Sequence, residues 1–436
     1  MSHARQIVDE GLVRQLGALG IMLLALNGMI GAGIFGVPAG AAALAGAWSP
    51  LVFVACAILL GAIMLCFAEI ASRFNRTGGP ILYIETAFGR FAGFQTGWAF
   101  YIARLTAFAA NLNLLIESLA YLWPDAGLGW VRVALLTGIV GLLAWVNVAG
   151  IKRAVQSLGV LTLLKLVPIL ALVIAGLAWL APAAAAISTE APPSAGQFTA
   201  AALLVIYAFV GWESALVPAG EVKNPSRAIP VALFSALAVV TVLYVLIQSI
   251  SVAALPGLAE SERALVDVAA VLIGPAGAIL LTAGVVVSVG GNVAGTMISA
   301  PRLTFALARD GSFPRWFGEI HPAHHTPANS IVFFAALTLL LSVFGSFVWL
   351  AAMSALVRVL IYMACIGAMP RLRARADPAG FRLPGGWLIP IFAFAASAIL
   401  LIEISLQSVA ATALVLAVGA VIYQFSRRDV LTDPTN

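Results

Sequence analysis

The sequence predicts an all-α polytopic membrane protein, and composition, hydropathy and charge distribution all lead to that class. Of its 436 residues, 62% are hydrophobic and only 9% are charged, with a mean hydropathy of +1.06. Soluble domains carry about 25% charged and roughly 45–50% apolar residues, so a water-soluble surface could not be covered here. The same figures exclude disordered, collagen-like and disulfide-stabilised chains.

Twelve apolar segments predict 12 transmembrane helices, because about 20 apolar residues cross a bilayer. In the first half they cover residues 20–44, 49–71, 86–120, 131–149, 155–181 and 199–220. In the second half they cover residues 229–254, 272–308, 329–346, 349–369, 386–405 and 408–425. The first segment lacks a cleavable signal pattern, so we expect it to remain in the mature protein.

The distribution of basic residues predicts the orientation of the chain. With the N-terminus inside, 18 of the 23 Lys and Arg residues fall in cytoplasmic segments. Only Arg132 and Arg263 fall outside, while Arg104, Lys165 and Arg358 lie within spans. By the positive-inside rule, we expect a multi-pass protein of the cell inner (plasma) membrane with both termini cytoplasmic.

Cysteine and histidine placement argues against a cofactor, a metal site or an enzyme. The three cysteines lie in apolar segments, and the four histidines lie in the N-terminal tail and one polar loop. No nucleophile–base pair or metal-ligand spacing stands out. The basic pI of about 9.4 follows from membrane topology, so we expect the lipid bilayer, and no nucleic acid, as a partner.

The first and sixth segments contain residues that weaken a helix at membrane depth. Gly28, Gly31 and Gly33 interrupt the first segment, and Gly211 interrupts the sixth, just before Glu213. Glycines at such spacing also build helix-packing faces, and spacing alone leaves both interpretations open. The corresponding positions of the two stretches favour interruption, since paired broken helices are typical of inverted-repeat transporters.

Four segments, in the same order, resemble the amino acid–polyamine–organocation transporters. They are the GAGIF run at residues 31–35 and the stretches at residues 69–89, 209–230 and 301–322. The resemblance implies a leucine-transporter-like fold, a five-plus-five inverted repeat with broken helices 1 and 6. It divides the chain into an N-terminal cytoplasmic tail, a first repeat, a second repeat, and helices 11–12 with the C-terminal tail, at residues 1–19, 20–181, 182–369 and 370–436.

The resemblance also implies an amino acid site between the two breaks. The N–H groups of Ala32 and Gly33 would bind the substrate carboxylate at a helix N-terminus, and carbonyls of the sixth helix would bind its ammonium. The implied substrate-binding residues are Ile30, Gly31, Ala32, Gly33, Arg104, Tyr207, Ala208, Phe209, Gly211, Trp212 and Asn292. Membrane-core packing is an equal alternative for the aromatic residues, and interhelical hydrogen bonding for Asn292.

Charged residues at membrane depth are candidates for coupling and gating, because they are costly there. Lys165 resembles a built-in substitute for the sodium ion of related transporters, donating to carbonyls near Gly28 and to Ser288. A salt bridge between Lys165 and Glu213 is the alternative. By the same resemblance Glu213 would sense protons, and Arg104 would pair with it or attract carboxylates.

These features predict a sodium-independent, proton-linked transporter of L-amino acids that works by alternating access. Because Arg104 and Lys165 disfavour a cationic substrate, neutral amino acids should bind better than arginine or lysine, with acidic ones left open. An amino acid exchanger is the main alternative, and an amino-acid sensor is a second. The expected partners are the amino acid, protons and the lipid bilayer, with no obligate protein partner.

Overall fold

The computed structural model describes residues 17–74, 78–149, 158–216, 222, 225–375, 381–402 and 406–431. Within these ranges the regular elements are α-helices with short 3₁₀ turns between them. The prediction of an all-α polytopic membrane protein is confirmed. The predicted tails up to residue 16 and from residue 432, the start of the fifth span and the loop at residues 217–221 lie outside the described residues.

Eight α-helices form the first half of the described chain. They are α1 (Ala18–Met29), α2 (Gly33–Ala45), α3 (Ser49–Ala71), α4 (Gly79–Phe88), α5 (Arg90–Leu119), α6 (Gly129–Val148), α7 (Leu158–Gly176) and α8 (Leu180–Thr189). The first predicted span is therefore two helices, separated by residues 30–32.

The helices of the second half begin with another short element. They are α9 (Ala195–Phe209), α10 (Pro225–Ala254), α11 (Ala264–Ile273), α12 (Pro275–Ser299), α13 (Pro301–Arg309), α14 (Ala328–Phe344), α15 (Phe347–Arg373), α16 (Leu388–Leu400) and α17 (Leu406–Leu431). A 3₁₀ turn over Trp212–Leu216 follows α9.

Eight helical stretches among the described residues are long and apolar enough to cross a bilayer. They are Gly33–Ala71, Arg90–Leu119, Gly129–Val148, Lys165–Ala183, Arg227–Ala254, Pro275–Arg309, Phe347–Arg373 and Gln407–Ser426. Other apolar helices, including α1 and α9, have 10–17 residues, too few to cross alone at about 1.5 Å per residue. The total of 12 spans stays a prediction.

Two predicted spans contain a stretch that is long and apolar enough to cross a bilayer, Arg90–Leu119 and Pro275–Arg309, but both were predicted to begin a few residues too early. The third, at residues 86–120, is divided at Gly89, whose φ of 91° ends α4. The eighth, at residues 272–308, is divided at Gly274, where φ is 84°, and a new helix begins at Pro301. Hydropathy misses both divisions because it does not register backbone conformation.

The broken helices lie inside the bundle, and other helices form its apolar surface. Much of α5 and α15 is buried, whereas α6 and α17 expose apolar side chains such as Trp145 and Leu414. Lipid accepts apolar side chains but no unpaired backbone groups. Irregular backbone at residues 30–32 and 210–211 is tolerated because protein surrounds it.

Candidate functional site

The interruption between α1 and α2 leaves a helix N-terminus inside the protein. Helix α1 ends at Met29, and α2 begins at Gly33 with no side-chain cap at Ala32. Between them, the Gly31 N–H donates to the Met29 carbonyl oxygen at 2.9 Å. The first N–H groups of an α-helix lack intrahelical acceptors, so this turn of α2 presents donors and the positive end of the helix dipole.

The interruption after α9 leaves a helix C-terminus beside it. Helix α9 ends at Phe209, and Gly211 has a φ of 111°, a conformation that favours glycine. The Gly211 N–H bonds the Glu213 Oε2 at 2.7 Å instead of continuing the helix. The last carbonyls of α9 therefore lie at a negative helix end.

The two interruptions touch through their glycines. A Cβ added to Gly211 would lie 2.3 Å from the Gly28 carbonyl oxygen, and one added to Gly33 would lie 2.4 Å from the Ala208 Cα. A Cβ on Gly31 would lie 2.6 Å from the Asn292 Nδ2. The structure thus brings together residues that the sequence singled out in the first, sixth and eighth predicted spans. They lie on and between α1 and α2, at the end of α9, and on α12.

Lys165 ties α7 to the interruption between α1 and α2. Its side chain is 4% exposed. Its Nζ donates to the Asn27 carbonyl oxygen at 2.9 Å, to the Asn27 Oδ1 at 2.7 Å and to the Ile30 carbonyl oxygen at 2.6 Å. An ammonium has three N–H donors, so these oxygens use all of them.

The predicted contact between Lys165 and Ser288 does not form, and neither does the alternative salt bridge with Glu213. The buried Ser288 Oγ has no hydrogen-bond partner, because all three N–H donors of Lys165 bond oxygens of Asn27 and Ile30. Contacts with carbonyls near Gly28 were expected, and the acceptors belong to Asn27 and Ile30.

Glu213 is held by three groups. Its Oε1 accepts a hydrogen bond from the Tyr362 hydroxyl and lies 3.5 Å from the Arg358 Nε, while its Oε2 accepts from Gly211. The pairing of Glu213 with Arg104 considered from the sequence was wrong. The sequence assigned no role to Arg358. This residue pairs with Glu213 because it lies one turn before Tyr362 on α15.

Arg104 bonds α12 instead. Its Nη1 donates to the Ser299 Oγ at 2.8 Å. On the same helix, the Asn292 Oδ1 accepts a hydrogen bond from the Thr296 Oγ1 at 3.3 Å, and the Asn292 amide reaches Gly31. One face of α12 therefore carries polar groups from the interruption of helix one as far as Arg104.

The aromatic residues around α9 are packed among other rings. Phe209 is fully buried and its ring lies 5.2 Å from that of Tyr244, while Trp212, also buried, lies 5.1 Å from Phe67. The Tyr207 hydroxyl donates to the Asn111 Oδ1 at 2.7 Å. This conformation shows the packing that was the alternative to substrate stacking.

Sequence reasoning missed two tyrosines that hold the interruptions. The Tyr244 hydroxyl lies 2.8 Å from the Met29 carbonyl oxygen and 3.2 Å from that of Ala208, so it bridges both breaks. Tyr362 binds Glu213. The available signal was a tyrosine within an apolar span, because a buried hydroxyl needs a hydrogen-bond partner.

The arrangement fits a zwitterion. The N–H donors at the positive end of α2 could bind a carboxylate. The carbonyl acceptors at the negative end of α9 could bind an ammonium. Within the described ranges, no group of three or more His, Cys, Asp or Glu side chains could hold a metal ion.

Comparison with known proteins gives the family. The family described as amino acid permease matches residues 16–423. The chain therefore belongs to the amino acid permease family, and it is a multi-pass membrane transporter of amino acids, not an enzyme.

Named relatives differ in substrate and in transport mode. The chain is 30% identical over 403 residues to the serine/threonine exchanger SteT of Bacillus subtilis, covering 89% of this chain and 90% of that protein. It is 26% identical to the branched-chain amino acid permease BcaP of the same organism, covering 95% and 93%. It is 27% identical to the large neutral amino acids transporter small subunit 2 of Oryctolagus cuniculus, covering 76% and 64%.

Proposed function

We propose that this protein is a sodium-independent secondary transporter of neutral L-amino acids, linked to protons and working by alternating access. The single observation that carries the proposal is Lys165, whose ammonium binds three oxygens of the broken first helix. A bound cation would occupy such a position by taking carbonyl ligands. A covalently attached ammonium there removes the need for sodium.

The proposal includes the leucine-transporter-like fold that the family implies. In it, residues 20–181 and 182–369 are the inverted repeats, α1–α2 and α9 with its 3₁₀ turn are the broken helices, and both termini are cytoplasmic. Residues 1–19 and 370–436 lie outside the repeats. The interruptions in the first and sixth predicted spans support this assignment.

Substrate binding would use backbone groups for the part that all amino acids share. The N–H groups of Ala32 and Gly33 would hold the carboxylate, and the carbonyls of Tyr207, Ala208 and Gly211 would hold the ammonium. Gly31 permits the close approach of Asn292, which would line the side-chain pocket. Backbone recognition leaves the choice among amino acids to the surrounding side chains.

Charge near the breaks supports discrimination against cationic substrates. Lys165, Arg104 and Arg358 lie in this region, and Glu213 is the carboxylate that pairs with Arg358. A further positive charge would be repelled at low dielectric. The names of the relatives agree, since serine, threonine, branched-chain and large neutral amino acids carry no side-chain charge.

Amino acid exchange is the second candidate, favoured by the similarity to an exchanger over 89% of the chain. Counterflow separates the two candidates, with purified protein in liposomes that are empty or preloaded with amino acid. Proton-linked uptake proceeds into empty liposomes under an imposed pH gradient, whereas obligate exchange needs internal substrate.

The substrate class is tested by a thermal-shift screen of the twenty amino acids. We expect neutral amino acids to raise the melting temperature, and arginine and lysine to have little effect. Stabilisation by arginine or lysine alone would contradict the preference. Sodium-driven accumulation in liposomes would contradict the role of Lys165.

A further inference from the structure

Arg104 is a guanidinium at membrane depth whose hydrogen-bonding capacity is mostly unused. Its Nη1 donates to the Ser299 Oγ, and among the described residues this hydroxyl is its one hydrogen-bond partner. A guanidinium carries five N–H donors. A charged side chain in a membrane pairs with another group or faces a water-filled pathway, and Arg104 has N–H donors left for a partner from outside the fold.

The Glu213 carboxylate does not pair with Arg104, because it already pairs with Arg358. Arg358 lies beside Arg104, because its Nη1 donates to the carbonyl oxygen of the preceding residue, Ala103, at 3.4 Å. Glu213 pairs with Arg358 and accepts hydrogen bonds from Tyr362 and Gly211. Since Glu213 pairs with Arg358, no carboxylate among the described residues forms an ion pair with Arg104.

Arg104 also lies along a polar face that starts at the interruption of helix one. Asn292 contacts Gly31, and Ser299, two turns further along α12, contacts Arg104. Between them, a Cβ added to Gly295 would meet no atom within 4 Å. Ser299 is itself exposed. Polar groups and the open position beside Gly295 therefore lie between the proposed amino acid site and the guanidinium.

We propose that Arg104 is the receptor for a second carboxylate, so that the transporter also accepts acidic amino acids. The α-carboxylate and α-ammonium would bind at the two breaks, and the side-chain carboxylate would reach Arg104. A planar guanidinium matches a carboxylate with two parallel hydrogen bonds. This inference rests on the proposed function, because it needs the backbone site for the shared part of the substrate.

The test compares acids with their amides, which have nearly the same shape but no charge. Purified full-length protein is titrated with L-glutamate, L-glutamine, L-aspartate and L-asparagine, and affinities are taken from thermal shifts and competition for uptake. We expect the parent to bind the acids, and Arg104→Gln to lower the acid-to-amide affinity ratio by about tenfold or more. Arg104→Lys should retain part of the ratio because it keeps the charge.

The matched control is Arg263→Gln, which removes an arginine that pairs with Asp267 at 3.0 Å away from the breaks, and it should leave the ratio unchanged. An unchanged ratio in Arg104→Gln would overturn the proposal. If that variant fails to fold, the parent decides, since absence of binding by both acids overturns the proposal as well. Binding of amides without acids would refute this inference alone, whereas binding of no amino acid would refute the proposed function.

Discussion

Replacing Lys165 tests whether its ammonium acts as a fixed cation in the transport cycle. The side chain holds both Asn27 and Ile30 across the interruption of helix one. Lys165→Ala removes the ammonium and leaves three oxygen acceptors without this donor. The variant should fold, because the remaining packing of the bundle is untouched, but it should lose most of its uptake.

The magnitude follows from the three hydrogen bonds. A hydrogen bond to a charged group contributes about 1.5–3 kcal/mol. If only one of the three differs between the inward-facing and outward-facing states, its loss changes their ratio by about tenfold to a hundredfold. Uptake by Lys165→Ala should therefore fall by at least about tenfold.

The assay is uptake of a neutral amino acid into liposomes, with sodium present or replaced by choline, across a pH series. Folding is checked by size-exclusion elution and a cooperative thermal transition. Val167→Ala is the matched control, because this side chain lies on the same helix and is 56% exposed. Unchanged uptake by folded Lys165→Ala, or sodium-dependent uptake by the parent, would refute the reasoning.

Three further predictions concern the breaks and one end of the bundle. Gly211→Ala should abolish uptake, because the added Cβ would lie 2.3 Å from the Gly28 carbonyl oxygen and the residue has a φ of 111°. Gly290→Ala is the control in the same uptake assay, because a Cβ added there meets nothing within 4 Å. Glu213→Gln should lower uptake by about tenfold or more, because it removes the carboxylate that pairs with Arg358 and accepts hydrogen bonds from Tyr362 and Gly211, and unchanged uptake by the folded variant would contradict this. Arg373→Gln should lower the free energy of unfolding by about 1.5–3 kcal/mol, because Arg373 donates two hydrogen bonds of 2.7 Å to the buried Glu69 carboxylate. Chemical denaturation measures this free energy, and an unchanged midpoint would argue against the pairing.

The breaks in the first and sixth predicted spans were predictable from the sequence, and their side-chain partners were not. Glycine marks both interruptions because it permits conformations and close approaches that other residues do not. At Gly211 and Gly28 the structure shows such an approach. These signals are local in the chain, so a sequence displays them directly.

Partners from distant helices have no such local signal. Tyr244 and Tyr362 reach the breaks from α10 and α15, and hydropathy describes both simply as members of apolar spans. For Lys165, depth in the membrane predicted polar partners. The resemblance predicted that Lys165 donates both to carbonyls near Gly28 and to Ser288. Which of these acceptors it reaches depends on the folded backbone, and the sequence does not contain that geometry.

The contacts at the first break imply that it cannot move independently of the sixth helix. Gly28 packs against Gly211, and the Tyr244 hydroxyl lies within hydrogen-bond distance of carbonyls from both breaks. Lys165 holds the next carbonyl, that of Ile30. A conformational change that separates α1 from α9 must therefore break the tyrosine contact and the glycine contact together. Within the proposed transport cycle, a substrate bound between α2 and α9 would replace some of those contacts, and its binding energy would be coupled to the movement of both helices at once.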